Sequence, residues 1–241
     1  MEPHTSTPRG PLVALLIAVM AVTASAAFAQ RIFVGGGGFR RAPLRWVSPE
    51  DFDGSWNYCR GFYTSNHREA GGAGWSTDYP GADNNFSVRL SELTFVRVKL
   101  GINGQPNNVV LRLTDPLLYR CPLLFMEDSG TVVFSEEEVQ RLRNYFLKGG
   151  FLWVDDFWGS RAWQQWAVQI GRVLPSSEYP IIDIPPDNPI MHTLYDVKTI
   201  PQVSAISFWY RNRGAVSERG PDSPHPNFRG IQDSQGRLIV V

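Results

Sequence analysis

The sequence predicts an α/β protein in which a mostly parallel central sheet is covered by helices on both faces. Three observations carry that reading. Short uninterrupted apolar runs at residues 123–126 (LLFM) and 151–154 (FLWV) have the pattern of strands covered on both faces. Between them, Val139, Leu142 and Phe146 recur at helical spacing and put one apolar stripe against a sheet. A second helical stretch over 160–173 follows, so strand, helix, strand and helix alternate as parallel crossover units require.

Taken from the amino end, residues 1–29 read as a secretory signal. Arg9 and the terminal amine outweigh Glu2, and residues 12–24 (LVALLIAVMAVTA) form an uncharged run of 13 residues. That length fits the hydrophobic region of a signal, about 7–15 residues, and falls short of the roughly 20 that span a bilayer. Ala27-Phe28-Ala29 supplies the small-x-small pattern that places cleavage between Ala29 and Gln30; an uncleaved anchor over 11–29 is the competing reading. Residues 30–45, with the GGGG run at 35–38 and Arg40, Arg41 and Arg45, read as a flexible basic linker. Aromatic density rises from Trp46, where an ordered α/β domain is expected to begin and run to Val241.

Within that domain, residues 71–85 are rich in Gly, Asp, Asn and Pro and are expected to be loop. Alternation over 95–100 (FVRVKL) predicts a half-buried strand, and 109–113 predicts a second. Ser135 with Glu138 forms a capping box, Glu136 and Glu137 favour the positive end of the helix dipole, and Gly149 supplies a left-handed stop. Ile181-Ile182 and residues 206–208 are weaker strand candidates, and 237–241 (RLIVV) reads as a last strand.

Composition narrows the function classes. The chain has 241 residues, and its 23 Lys and Arg balance 23 Asp and Glu, so no basic face is available for nucleic acid. No second apolar run approaches spanning length, so no membrane span is expected after signal cleavage. The 2 cysteines, Cys59 and Cys121, exclude a cysteine-built metal cluster. In an oxidising compartment they could close a disulfide worth about 4 kcal/mol; the alternative is that Cys121 is a buried small hydrophobe, and spacing leaves both open.

Ligands of open parallel sheets sit beyond the carboxyl ends of the strands. Acidic residues fall there: Asp115, Glu127-Asp128 and Asp155-Asp156, with Asp78 and Asp83 in the stretch WSTDYPGADNNF. Converging carboxylates suit sugar hydroxyls, a divalent cation, or an acid/base pair whose repulsion raises one pKa. Asp residues are also common turn formers at strand ends, and adjacent Asp155 and Asp156 would point to opposite faces of an extended chain. Asp155 and Asp156 are the catalytic candidates; Asp78, Asp83, Asp115 and Trp158 are the ligand-binding candidates. Trp158, Trp163 and Trp166 straddle the second helix, where core packing competes with a sugar-stacking role. The turn VDDFWG carries no Ser or Cys nucleophile, and no His/Cys array indicates a metal site. No motif names a cofactor.

Trp75-Ser76-Thr77-Asp78-Tyr79-Pro80, Ala82-Asp83, Asn85-Phe86, Asp115-Pro116, Gly149-Gly150-Phe151-Leu152, Asp155-Asp156-Phe157, Asn188-Pro189-Ile190 and Gly236-Arg237-Leu238 resemble a bacterial family, domain of unknown function 4159. The resemblance runs from about Asn57 to Val241. It implies a remote relation to flavodoxin-like and class I glutamine amidotransferase-like folds and a place in the cell envelope. On that pattern the nucleophile position falls near Asp155-Asp156, where such enzymes carry Cys, so amidotransferase activity does not carry over. Similar proteins continue past the Gly236-Arg237-Leu238 strand, so the resemblance implies a domain cut short at its carboxyl end.

The expectation with most support is an exported envelope protein whose domain binds a glycan or protein partner without catalysis. The alternative is a hydrolase using the Asp cluster, with or without a divalent ion. A scaffold without a small ligand is the third reading.

Overall fold

Nine strands and four helices are assigned in the computed structural model, which describes residues 44–241. The strands are β1 (Cys59–Phe62), β2 (Thr64–Ser65), β3 (Val109–Arg112), β4 (Leu123–Glu127), β5 (Val132–Val133), β6 (Phe151–Asp155), β7 (Ile181–Asp183), β8 (Arg229–Gln232) and β9 (Leu238–Val240). The helices are α1 (Gly81–Leu93), α2 (Glu136–Leu147), α3 (Gly159–Val173) and α4 (Ile206–Arg211). Trp46–Val241 is one compact unit, while the leader expected over 1–29 and most of the linker expected over 30–45 lie outside the described residues.

Seven strands form the central sheet in the order β3-β1-β4-β6-β9-β8-β7. The pairs from β3 to β9 are parallel, and β8 runs antiparallel to both its neighbours. The α/β expectation therefore holds, with a mostly parallel sheet. Taken in chain order, the five parallel strands stand 2-1-3-4-5, so the direction of winding reverses between β1 and β4. β2 and β5 pair antiparallel at the carboxyl edge.

One face of the sheet is apolar. Leu124 and Met126 of β4 and Leu152 of β6 pack with Val139, Leu142, Phe146, Trp166 and Ile170 of α2 and α3. The capping box forms as expected: Ser135 Oγ accepts from Glu138 N at 3.2 Å, and Glu138 Oε2 accepts from Ser135 N at 2.8 Å. Gly130 lets α3 approach the end of β4, since a Cβ there would stand 2.4 Å from that of Ala162. Trp166 enters this core with Trp163 half-buried beside it, and the Arg229 guanidinium lies 4.3 Å above the Trp163 ring. Core packing explains this pair.

Cys59 and Cys121 are both buried and are disulfide-bonded, with Cα atoms 6.1 Å apart. The bond ties the start of β1 to the segment entering β4, and it resolves the alternatives that spacing left open.

Three local expectations are corrected. Residues 95–100 are not a strand. Their alternation finds only isolated bridges: Trp56 N to Arg97 O at 2.8 Å and Lys99 N to Trp56 O at 2.9 Å on one side, and Asn107 N to Lys99 O at 2.8 Å on the other. The chain then turns back at Gly101–Gly104, and Pro106 opposite Leu100 has no N–H to extend a ladder. The loop expected over 71–85 ends early, because α1 begins at Gly81. Helical spacing is present there, but two of its buried positions are Asp83 and Ser87, which an apolar search passes over. The segment 206–208 is helical, closed by Phe208 N and Trp209 N on Ala205 O; with no adjacent strand its β-prone residues have nothing to pair with. β8 was not anticipated, since Arg229-Gly230-Ile231-Gln232 alternates only weakly.

Candidate functional site: a carboxylate rim at the reversal of winding

The second face of the sheet is built around a charge. Alternation along β1 sends Cys59 to the apolar face and Arg60 to the opposite one, under α1. The Arg60 side chain is 0% exposed. Its Nε donates to Asp83 at 3.0 Å, and Nη2 donates to Asp83 and to Glu127 Oε1, the latter at 2.7 Å. Nη1 donates to the carbonyls of Trp75 and Thr77, both at 3.0 Å. One guanidinium thus fastens α1, β4 and the turn carrying the W-S-T-D-Y-P stretch to β1. Burial opposes the Arg60 charge, but Asp83 and then Glu127 outweigh it and hold the group protonated. Burial raises the Asp83 carboxyl, and the guanidinium it clamps pulls it back.

Aromatic rings complete this face. Tyr58 stacks on Phe125 at 3.9 Å, and Phe86 of α1 meets Phe125 at 5.0 Å. Trp153, on the same side of β6, lies 6.3 Å from Phe125 and is half-buried.

Beyond the carboxyl ends of β1 and β4 the loop of residues 72–79 folds against Asp128. This residue is buried in a left-handed conformation (φ 51°), and its carboxylate accepts from Gly74 N at 2.7 Å and Thr77 Oγ1 at 3.3 Å. A Cβ on Gly72 would stand 2.1 Å from Asp128 Oδ2, so the loop can pass this carboxylate only with glycine there. Burial raises the Asp128 pKa, and the Gly74 amide partly reverses it. The Tyr63 hydroxyl lies 2.6 Å and 2.7 Å from the carbonyls of Glu127 and Asp128, bridging the gap between β1 and β4.

The end of β6 supplies the remaining carboxylates. Asp155 is the register partner of Glu127, so both side chains stand side by side on the Arg60 face. Asp155 Oδ2 accepts from the Trp153 indole at 3.1 Å. Asp156 does not continue the strand. Its left-handed backbone (φ 55°) breaks the alternation expected of an extended pair, and it shares the neighbourhood of Asp78, Asp155 and Asp128. Asp156 Oδ1 accepts from the Trp158 indole at 3.2 Å.

Both Asp155 and Asp156 reach solvent while protein packs around the rest of each side chain. Burial, then Asp78 and Asp155, push Asp156 up to about 7, and burial with Asp78 raises Asp155. Asp78 is exposed, also left-handed (φ 54°). The long excursion between β7 and β8 returns to this edge: Arg219 donates to Ala70 O at 3.1 Å, and Ser160 N donates to Asp222 Oδ2 at 2.9 Å.

The sequence-derived candidates thus separate. Asp78, Asp155 and Asp156 converge on the rim, and Trp158 orients Asp156. Asp83 lies beneath the rim as the buried partner of Arg60. Asp115 is elsewhere: its carboxylate caps the turn Pro116–Arg120 by accepting from Leu117 N at 2.8 Å, the turn role that competes with ligand binding at strand ends. Arg60, Tyr58 and Trp153 escaped the sequence reading. A buried Arg demands a carboxylate partner, but that signal could not be used because no strand was anticipated at Cys59–Phe62.

Chemically, the rim offers one carboxyl, Asp156, that keeps its proton toward neutral pH, together with oriented indoles and few free hydroxyls. Ser129 Oγ is buried and spent on Met126 O, and Ser76 Oγ on Ala73 O. Among the described residues no three His, Cys, Asp or Glu side chains are placed to hold a metal ion.

These features define a doubly wound α/β protein with a carboxylate rim where its winding reverses. The chain belongs to the family Domain of unknown function (DUF4159), whose model matches residues 65–241. No curated protein matches the chain.

Proposed function

We propose that this is an exported cell-envelope protein whose α/β domain binds a hydroxyl-rich glycan at the carboxyl-edge rim without transforming it. The observation that carries the reading is the convergence of Asp78, Asp155 and Asp156 beside two indoles that hydrogen-bond two of them. Carboxylates accept hydrogen bonds from hydroxyls, and aromatic faces accept the apolar side of a sugar ring. The position agrees with the rule that ligands of open sheets bind where winding reverses. Export is supported by the 12–24 apolar run and by the Cys59–Cys121 disulfide, which fits an oxidising compartment. The 2-1-3-4-5 order supports the flavodoxin-like relation.

A second reading is a hydrolase in which Asp155 and Asp156 divide acid and base roles. Asp156, pushed up to about 7, favours it, since a carboxyl titrating there can give or take a proton at neutral pH. A protein partner on the same rim is the third outcome.

Thermal-shift titration of the purified protein with envelope glycan fragments, beside Asp155→Asn and Asp156→Asn, separates these readings. A ligand at 100 times its Kd stabilises the fold by about 2.7 kcal/mol. Glycan binding is expected in the native protein, without release of cleaved product over hours. Product that disappears in either Asn variant transfers the assignment to the hydrolase. No shift with any glycan, together with a shift by a protein fraction lost in Asp156→Asn, overturns the glycan reading in favour of a protein partner.

A further inference from the structure

Glu127 is the carboxyl that the rim does not account for. Its side chain is only 8% exposed, and its two oxygens have different fates. Oε1 accepts from Arg60 Nη2 at 2.7 Å and from the Tyr58 hydroxyl at 3.1 Å. Oε2 takes no hydrogen bond among the described residues. Every sealed side-chain nitrogen or oxygen described has a partner, so Oε2 is the oxygen that meets solvent. With Oε1 turned toward β1, Oε2 is turned away from it. Across that gap stands Asp155, its register partner on β6, whose Oδ2 is held by Trp153 and whose Oδ1 takes no hydrogen bond among the described residues.

Charge counting points to a retained proton. Among the described residues Arg60 is the only cation in contact with this group, and Asp83 takes two of its nitrogens. An ionised Glu127 would leave the buried trio at net charge −1, beside the negative charge of Asp155. Facing Glu127 are Arg60 from β1 and Tyr58 just before it, Asp83 from α1 and Asp155 from β6; Asp78 acts on Asp155 from the rim loop. Burial first, then Asp155 and Asp83, push Glu127 up to about 8 against the pull of Arg60.

We propose that Glu127 and Asp155 form a one-proton carboxyl pair that grips two neighbouring hydroxyls of a neutral ligand. The acid form of Glu127 donates to one hydroxyl and the Asp155 carboxylate accepts from the other. Trp153, two residues before Asp155 on the same face, supplies the stacking surface. The pair extends the reading of the rim as a glycan site and narrows its ligand to neutral vicinal hydroxyls rather than cations.

The pair is tested first without ligand, by following carboxyl carbon shifts in Glu/Asp-labelled protein by NMR. One carboxyl is expected to titrate near 8. Glu127→Gln, which keeps the shape and the donor of the acid form, abolishes that titration, and Asp155→Asn lowers its midpoint by about one pH unit through loss of like charge. Absence of a carboxyl titration above about 6 that is lost in Glu127→Gln and is thereby distinct from that of Asp156, or a midpoint unmoved in Asp155→Asn, overturns the pair. Binding of cellotriose, which carries a vicinal diol on every ring, is then measured at pH 6 and pH 9. The native protein should lose about tenfold in affinity, as a group with a pKa near 8 keeps about a tenth of its protons at pH 9, and Glu127→Gln should lose none. Equal binding by the native protein at both pH values overturns the donor role. The titration without cellotriose binding at either pH upholds the pair and overturns the vicinal-hydroxyl ligand.

Discussion

The two faces of the sheet are closed by opposite means. Under α2 and α3, residues such as Leu142, Phe146 and Ile170 exclude water, and each contact could be exchanged for another apolar one of similar volume. Under α1, the buried positions Asp83 and Ser87 meet Arg60, Asn108 and the Trp56 indole, and all five guanidinium hydrogen bonds are committed. Apolar packing gives stability with little say over the exact position of a loop. A saturated guanidinium fixes position, because each donor has one direction and each acceptor one place. The polar face is the one that carries the rim, since it holds the 75–77 turn and Glu127 at once.

The comparison is tested most severely at Arg60. Arg60→Met removes the cation buried with Asp83 and Glu127 and is expected to cost about 3–5 kcal/mol in urea unfolding. Faster hydrogen exchange should appear at Gly74 and Thr77, whose turn has lost its anchor. Adding Asp83→Leu and Glu127→Gln should restore most of the stability, as an apolar replacement of a buried ion pair often does, without restoring the rim. A loss below 1 kcal/mol in the single variant would mean that the two faces differ only in appearance.

On the other face, Leu142→Ala should cost about 2–5 kcal/mol through lost burial and a cavity under α2. Exchange at Gly74 and Thr77 should keep its native ratio to the rest of the protein. If the loop amides respond as they do in Arg60→Met, the faces are one cooperative unit and the division proposed between them fails.

The faces also differ in how they respond to pH. The raised Glu127 means that the folded protein holds a proton which the unfolded chain releases above its ordinary pKa of 4.5. This contribution is complete below about 4.5 and is lost as pH rises through about 8. The raised Asp128, Asp155 and Asp156 act in the same direction. Stability measured by denaturant should therefore fall between pH 5 and pH 8.5, by about 1–3 kcal/mol. Glu127→Gln should flatten the slope, whereas Leu142→Ala should lower the curve without changing its shape. A native curve that rises over this window would overturn the protonation assigned to Glu127.

The same division explains what could be read from the sequence. The α2 and α3 face was legible because its periodicity is written in apolar residues, with Ser135, Glu138 and Gly149 marking the ends of α2. The carboxyl-edge position of Asp155 and Asp156 followed from the strand before them. Helix α1 was hidden because Asp83 and Ser87 occupy its buried positions, and they make sense only once Arg60 is known to face them. Glu127 was visible as an acidic residue at a strand end, but its pairing with Asp155 depends on which strands are neighbours, a long-range fact that local patterns do not contain. Residues 95–100 misled for the complementary reason: alternation was present and a full partner strand was not.

The smallest effect gives the finest comparison, because one substitution can be made on both faces. Ser135→Ala removes the N-cap acceptor of α2 and should cost about 1 kcal/mol, a local loss at a solvent-facing helix end. Ser87→Ala, in the buried middle of α1, removes a hydroxyl that accepts from Trp56 Nε1 at 3.4 Å and donates to Asn108 Oδ1 at 3.3 Å. Both bonds are long, and alanine is the better helix former by up to about 0.5 kcal/mol, so the net cost should be about 0.5–1 kcal/mol, no more than that of the cap. Equilibrium unfolding of the two variants side by side decides it. If Ser87→Ala proves the costlier by more than 1 kcal/mol, the polar face is coupled beyond the Arg60 hub. The network that positions the rim would then extend along α1 to Asn108 and Trp56.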